Sequence, residues 1–131
     1  MFVDASALTA MMTDEDDARE LLSRLQQARI RITSPLAVWE TAIAVARILG
    51  LPIRDAQAAV YDFLELAGME IRAVPPETAA AALDAYDRYG KGRHKARLNF
   101  GDCFAYACAR TFGEPLMFKG TDFPLTDIEA G

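Results

Sequence analysis

The chain is poor in residues that bind soft metals or form cross-links, with two cysteines and one histidine among its 131 residues. Because there is a single histidine, no Cys/His spacing in the chain is typical of a zinc site. Cys103 and Cys108 lie five residues apart on a predicted helix, which places them on different faces where they cannot pair. We therefore expect two reduced thiols in the core of a cytoplasmic protein.

Long apolar segments and an excess of basic residues are also missing. No run reaches the length that a membrane span needs. The N-terminus has no basic region and Asp4 interrupts the first apolar run, which argues against a signal peptide, and we expect no membrane partner. The formal net charge is −5, so affinity for nucleic acid requires a local basic patch or a bound cation.

The chain does have a hydrophobic content of 52% and a regular alternation of short apolar strands with helices. Its length and hydrophobic content predict one domain that spans residues 1–131. The pattern predicts strands at residues 1–3, 30–33, 70–74 and 116–118, and helices at residues 5–12, 14–28, 36–49, 53–67, 77–89 and 100–112. This order predicts an α/β fold of three layers, in which helices flank a central, mostly parallel sheet of four to five strands.

Two local predictions concern the second helix and the end of the chain. Thr13 is predicted to cap the second helix, with Asp16 at the capping-box position, because negative charge is stabilised in a first helical turn. The acid cluster around it is therefore interpreted as a helix start. A last short strand is predicted near residues 126–128.

Four acidic residues from distant parts of the chain are predicted to meet at one edge of the sheet. Asp4 follows the first strand, and Asp122 follows the fourth. Glu40 and Asp102 lie near the starts of two helices. In a wound α/β sheet each strand delivers the chain to its carboxyl edge, and the following helix begins there. If the first and fourth strands are neighbours, this edge is a topological switch point, where such folds bind ligands.

Each acid also has a local interpretation. Asp4 and Asp122 are compatible with turns, and Asp102, three residues after Asn99, with a helix cap. Glu40 lacks such an explanation, because a carboxylate on so apolar a helix is costly unless it is paired or metal-bound. Clustered carboxylates raise one another's pKa, and a hard cation such as Mg²⁺ or Mn²⁺ relieves that repulsion. The reaction class is then metal-assisted hydrolysis or transfer at a phosphate.

Other polar side chains are candidates for substrate binding near these acids. Ser6 and Thr121 carry hydroxyls that either orient water and phosphate oxygen or cap the local backbone. A basic segment at residues 90–97, GKGRHKAR, leads into the helix of Asp102, and its glycines predict a flexible loop. We expect this segment to overhang the acids and to hold a phosphodiester. The candidate residues are Lys91, Arg93, His94, Lys95 and Arg97, with His94 as a substrate contact rather than a general base.

Taken together in this order, several motifs resemble the PIN-domain ribonucleases of the VapC type, which are toxins of type II toxin–antitoxin pairs. The motifs are FVDASAL at the start, WE in the middle of the chain, GKGRHKARLNFGDCFAYACA, and LMFKGTDF. The opening Asp-Ala-Ser carries little information alone. Its combination with Asn-x-Gly-Asp-Cys and Lys-Gly-x-Asp-Phe is specific, and the resemblance spans nearly the whole chain.

The resemblance implies a PIN-like α/β fold and endonucleolytic cleavage of RNA. It matches the family's acids to Asp4, Glu40, Asp102 and Asp122, with Asp4 and Asp102 at the positions that most directly hold Mg²⁺ (or Mn²⁺). Glu40 completes the pocket. The fourth position varies in type within such families, so Thr121 is an additional candidate beside Asp122. The resemblance also implies a homodimer and a cognate antitoxin whose tail covers the acid pocket.

Two alternatives belong to different functional classes. A metal-dependent phosphatase or phosphotransfer domain would use an aspartate at a strand end beside Lys119, although the opening lacks the second acid of an Asp-x-Asp motif. A non-catalytic, metal-stabilised binding module would pair with a partner through the apolar helices at residues 36–49 and 53–67, for which burial in the core is the simpler interpretation. A metal-dependent endoribonuclease is the hypothesis that explains both the acids and the basic segment.

Overall fold

A four-stranded parallel sheet with helices around it forms the centre of the computed structural model, which describes all 131 residues. The strands are β1 (Phe2–Val3), β2 (Ile32–Thr33), β3 (Glu70–Ile71) and β4 (Leu116–Met117). The helices are α1 (Ala5–Met12), α2 (Ala18–Gln27), α3 (Pro35–Leu49), α4 (Ile53–Leu66), α5 (Thr78–Tyr89) and α6 (Phe100–Phe112), followed by a short 3₁₀ helix, Phe123–Leu125. The predicted α/β class is confirmed.

The sheet separates two apolar cores because successive side chains of a strand point to opposite faces. Phe2 and Leu116 are in register and pack into the core beneath α5 and α6. Val3 and Met117, also in register, pack into the core formed with α1 to α4. All four side chains are fully buried. The alternation within two-residue strands therefore produces the three predicted layers.

The strand order β3-β2-β1-β4 places the first and last strands of the chain side by side. From β1 the chain moves outward through β2 to β3, and it then returns to the other side of β1 as β4. The carboxyl ends of β1 and β4 consequently form a topological switch point, as the sequence predicted on the condition that these strands are neighbours.

The predicted cap at Thr13 is wrong. Thr13 ends α1 instead, because its hydroxyl and its backbone N–H both donate to the carbonyl oxygen of Thr9. Asp14 then adopts a left-handed φ of 55°, and α2 begins only at Ala18. Asp17 precedes α2 without a side-chain capping hydrogen bond. A threonine hydroxyl can bond either forward to a helix start or back to a preceding carbonyl, and Thr13 does the second.

The predicted strand at residues 126–128 is also wrong. Thr126 ends the 3₁₀ helix, since its hydroxyl donates to the carbonyl oxygen of Phe123. The chain pairs with β4 slightly later, through a single parallel bridge between Leu116 and Ala130. The sheet therefore has four strands and one isolated bridge.

Two expectations from composition can be compared with the structure directly. Cys103 and Cys108 are both buried and unpaired, as predicted from their spacing. No single helix is long and apolar enough to cross a membrane. Only α3 and α4 together reach that length and apolar character, and the chain bends by 119° between them.

Candidate active site

Four acidic side chains stand at the carboxyl edge of the sheet or just beyond it. Asp4 directly follows β1, and Glu40 lies in the second turn of α3. Asp102 is in the first turn of α6, and Asp122 immediately precedes the 3₁₀ helix after β4. The positions of Asp4 and Glu40 follow from strand direction, because β1 ends at Asp4 and α3 begins where β2 ends.

Asp4 is buried and is held by Ser6. Its Oδ2 accepts hydrogen bonds from the Ser6 backbone N–H at 3.0 Å and from the Ser6 hydroxyl at 2.5 Å. The Ser6 hydroxyl oxygen also accepts from the backbone N–H of Lys119 at 3.0 Å, which ties the segment after β4 to this carboxylate. Burial raises the pKa of Asp4, and the bonds from Ser6 only partly oppose that rise. The other oxygen, Oδ1, has no hydrogen-bond partner.

Asp102 caps α6 and also lies near Asp4 and Glu40. We call the carboxylates of Asp4, Glu40 and Asp102 the acid group. Oδ2 of Asp102 accepts from the Asn99 backbone N–H at 3.1 Å, while the Asn99 side chain accepts from the Asp102 backbone N–H at 2.9 Å, which completes a capping box. Burial raises the pKa of Asp102 to about 6, with repulsion from Asp4 and Asp122 contributing and the Asn99 bond opposing. The cap uses one carboxylate oxygen and leaves Oδ1 free.

Glu40 faces the other two carboxylates without any hydrogen bond or ion pair. Burial raises its pKa to about 7, and repulsion from Asp4 and Asp102 adds to that rise. The carboxylate rests on Gly101, where an added Cβ would lie 2.2 Å from Glu40 Oε2. Gly101 therefore provides the space that Glu40 occupies.

Asp122 stands at the outer side of this group. It is exposed and lines a cleft of about 230 Å³ together with Lys91, Arg97, Asn99 and Asp102. Thr121 is exposed as well and does not line this cleft. The structure thus brings Asp4, Glu40 and Asp102 together, places Asp122 next to Asp102 alone, and leaves Thr121 outside.

Lys119 occupies a different position from the one that a phosphotransfer site requires. Its ammonium group forms ion pairs with Glu15 and Asp17 at the start of α2 rather than lying beside Asp4. Only its backbone N–H is linked to the acid group, through Ser6. The lysine invoked by the phosphotransfer alternative is therefore engaged elsewhere.

The basic segment between α5 and α6 is closed by backbone hydrogen bonds, and its two glycines have specific positions in the turn. Gly90 allows a close approach, because an added Cβ would lie 2.4 Å from the carbonyl oxygen of Tyr86. Gly92 adopts a left-handed φ of 86° in the turn. The glycines therefore serve to form the turn. Lys91 and Arg97 reach the cleft of Asp102, whereas Arg93, His94 and Lys95 lie farther along the segment.

The donor atoms of the acid group fit a hard divalent cation. No group of three or more His, Cys, Asp or Glu side chains is arranged to hold a metal ion in this conformation. Burial nevertheless raises the pKa of Asp4, Glu40 and Asp102, repulsion from Asp4 adds to the rise at Glu40 and Asp102, and no basic side chain compensates any of the three. Each keeps at least one oxygen without a hydrogen bond, which is the ligand type that Mg²⁺ and Mn²⁺ prefer.

Sequence reasoning predicted the cap formed by Asn99 and Asp102, which the structure confirms, but it missed the role of Gly101 in shaping this group. A signal for Gly101 was present, since glycine within a helix costs about 0.5–1 kcal/mol relative to alanine and needs a reason. The contact of Gly101 with Glu40 is that reason. The link from Ser6 to Lys119 had no local signal, because it joins residues 113 positions apart.

Comparison with known proteins identifies the family of the chain. The family model described as "PIN domain" matches residues 1–129. The chain is 44% identical over 130 residues to a protein named Ribonuclease VapC from Mycolicibacterium smegmatis, covering 99% of this chain and 98% of the relative. It is 42% identical over 128 residues to Ribonuclease VapC30 from Mycobacterium tuberculosis, covering 98% and 95%.

A solved structure shows the same fold at lower sequence identity. VapC20 from Mycobacterium tuberculosis, described as a sarcin–ricin loop cleaving toxin, matches with a TM-score of 0.75 and 20% identity. The match covers 97% of this chain and 95% of VapC20. From the family model and the relatives above 40% identity, the chain belongs to the PIN-domain family of VapC ribonucleases.

Proposed function

We propose that this protein is a metal-dependent endoribonuclease that acts as the toxin of a type II toxin–antitoxin pair. The observation that carries the proposal is the group of Asp4, Glu40 and Asp102 at the switch point, whose charges no basic side chain balances. Membership of the VapC family supports RNA as the substrate. We further propose that residues 1–131 form one PIN-like domain.

The acid group would hold the metal through the oxygens that hydrogen bonds leave free. Asp4 and Asp102 would be the main ligands, with Glu40 and Asp122 completing the pocket. When bound, Mg²⁺ or Mn²⁺ supplies an activated water and charge stabilisation at the leaving oxygen. Ser6 and Asn99 orient Asp4 and Asp102 by binding their Oδ2 atoms.

The basic side chains would hold the RNA backbone beside these ligands. Lys91 and Arg97 line the same cleft as Asp102 and Asp122, so a phosphate bound there would lie near both cations and carboxylates. Phosphate contacts of this kind position a nucleic acid without reading its sequence.

We also propose that the protein forms a homodimer and binds a cognate antitoxin that covers the acid group. Support for an interface comes from large apolar side chains on three helices that remain exposed. Trp39 of α3 is 66% exposed, Leu83 of α5 is 69% exposed and Phe100 of α6 is 68% exposed. The sequence-based interpretation that α3 is buried in the core does not describe Trp39. Leu83 and Phe100 line the same apolar cleft, and a contiguous exposed apolar surface of this kind marks an interaction site.

The test is cleavage of a mixed pool of cellular RNA, because a selective nuclease can leave any one RNA intact. We expect new 5′ ends with Mg²⁺ or Mn²⁺, none with EDTA, and none with the Asp4→Asn variant. Cleavage that survives both EDTA and Asp4→Asn would contradict the metal mechanism. Metal binding without cleavage across the pool would favour the non-catalytic alternative, and a phosphoaspartate trapped on Asp4 the phosphotransfer alternative.

A further inference from the structure

The segment between α5 and α6 forms a concave surface. Neither acidic nor apolar side chains line it. Its volume is about 550 Å³, and it is bounded by Lys91, Gly92, Arg93, His94, Lys95 and Arg97. We call this surface the basic cup. Four of its six lining residues are cationic at neutral pH, which creates a local positive potential on a chain whose net charge is −5.

The basic cup is held in shape by the backbone of the protein. Lys91 N–H donates to Leu98 O and Leu98 N–H to Tyr89 O, both at 2.9 Å, which closes the segment at its base. Ala96 and Leu98 are fully buried and anchor the returning chain. Arg97, between them, adopts a left-handed φ of 55°, which a non-glycine residue keeps only where its surroundings impose it.

The cations of the basic cup differ in whether they are already paired. Arg93 forms an ion pair with Asp87 at 3.2 Å and lies over the ring of Tyr86. Lys91, Lys95 and Arg97 take part in no ion pair. Three exposed cations that form no ion pair therefore line one concave surface. A bound anion would not have to displace a carboxylate from any of them.

His94 adds a neutral donor to the same surface. Its Nδ1 accepts a hydrogen bond from the Ala96 backbone N–H at 3.0 Å, so the neutral ring carries its hydrogen on Nε2. Tyr89 packs edge-on against the ring, with centroids 5.2 Å apart. This arrangement orients the imidazole and leaves the Nε2–H as a donor for a phosphate oxygen.

The basic cup and the acid group are adjacent but separate. Lys91 and Arg97 line both the cup and the cleft of Asp102 and Asp122, whereas His94 and Lys95 line the cup only. A chain of phosphates that passes from the acid cleft across Lys91 and Arg97 therefore arrives at Lys95. A nucleic-acid strand carries one phosphate per nucleotide, so it can place one phosphate at the acid cleft and another beside Lys95.

We propose that the basic cup binds a second phosphate of the single-stranded RNA substrate, distinct from the phosphate at the acid group. This inference rests on the proposed function, since it takes RNA as the substrate. Lys95 and His94 contact only the second phosphate, and Lys91 and Arg97 lie between the two. An acidic protein segment is less compatible with the cup, because the same segment would have to pass the carboxylates of Asp102 and Asp122.

The test is the salt dependence of RNA binding in EDTA, where metal-dependent cleavage is absent. The probe is a fluorescein-labelled, single-stranded RNA of mixed sequence about ten nucleotides long, which is within the range that one single-strand site covers. Each neutralised phosphate contributes about 0.7 to the slope of log affinity against log salt for single strands. We expect Lys95→Ala to reduce the magnitude of that slope by about 0.7 relative to the wild type.

Arg54→Ala is the matched control, because Arg54 is an exposed, unpaired cation on α4 and its removal changes the net charge equally. We expect its slope to equal that of the wild type. An unchanged slope for Lys95→Ala, or an equal reduction for both variants, would overturn the proposal. An acidic decapeptide that binds as tightly as the RNA and depends equally on Lys95 would assign the cup to a protein partner instead. Binding is read without cleavage, so a failure to cleave RNA leaves this result separate.

Discussion

Replacing Gly101 with alanine should remove activity while preserving the fold. The added Cβ would lie 2.2 Å from Oε2 of Glu40, whereas real Cβ contacts are almost never closer than 3.0 Å, so the carboxylate has to retreat by about 0.8 Å or more. Gly101 lies in the first turn of α6 without a positive φ, and a helical Gly→Ala change there contributes about 0.5–1 kcal/mol of stability. This gain offsets the cost of moving a flexible side-chain end.

The expected loss of activity follows from the size of that displacement. A misplacement of about 1 Å at a reacting centre reduces the rate by about 10²-fold. We therefore expect single-turnover RNA cleavage by Gly101→Ala to fall by about 10²-fold, which corresponds to about 2.7 kcal/mol of activation free energy. The melting temperature should be unchanged or slightly higher. Shortening the displaced side chain, in Gly101→Ala with Glu40→Asp, should restore part of the rate.

Gly113→Ala provides the matched control at the other end of the same helix. Gly113 has a left-handed φ of 66°, and an added Cβ there meets no atom within 4 Å. Alanine at such a φ costs about 1 kcal/mol, so this variant should lose stability and keep its cleavage rate. A Gly101→Ala protein that cleaves RNA at the wild-type rate would refute the role of Glu40. A loss of activity that merely tracks unfolding would do the same.

Three other variants or conditions give further tests. In EDTA the melting temperature should fall between about pH 5 and pH 8. The folded-state pKa values of Glu40 (about 7) and Asp102 (about 6) exceed their ordinary values, so stability present at low pH is lost as these carboxyls ionise. A flat or rising profile would contradict this, and Glu40→Gln should show a smaller fall. Asn99→Ala removes the capping box and should cost about 1 kcal/mol by chemical denaturation, with no loss contradicting the cap. Burial raises the pKa of the Cys103 and Cys108 thiols to about 11. These thiols should therefore react with a thiol reagent at pH 8 only after unfolding. Rapid labelling of the native protein would contradict their burial.

The sequence predicted the placement of the acids because strand direction is a property of the whole α/β pattern. Asp4 and Asp102 are near each other since β1 ends and α6 begins at the same edge, and this needs no knowledge of side-chain packing. Glu40 was recognised because a lone carboxylate on an apolar helix demands an explanation. The assignment of these residues as metal ligands stays a prediction.

The features that sequence reasoning missed depend on hydrogen bonds and ion pairs that the residue pattern alone does not specify. Thr13 has two possible hydrogen-bonding directions, and only the packed α1 shows which one it takes. The two glycines of the basic segment did not reveal that its base is closed by backbone hydrogen bonds from Lys91 to Leu98 and from Leu98 to Tyr89. The ion pairs of Lys119 with Glu15 and Asp17 likewise join residues that no local pattern connects.

Binding of Mn²⁺ by isothermal titration calorimetry tests the central claim most directly, because it requires neither a known RNA target nor an antitoxin. The wild-type protein should bind Mn²⁺, and Asp4→Asn and Asp102→Asn should each weaken that binding by about tenfold or more, since each removes the charge of a proposed ligand. Asp87→Asn, a control that removes an exposed acid outside the acid group, should bind like the wild type. A wild-type protein that binds no Mn²⁺, or an Asp4→Asn variant that binds it equally well, would contradict a metal centre at these carboxylates.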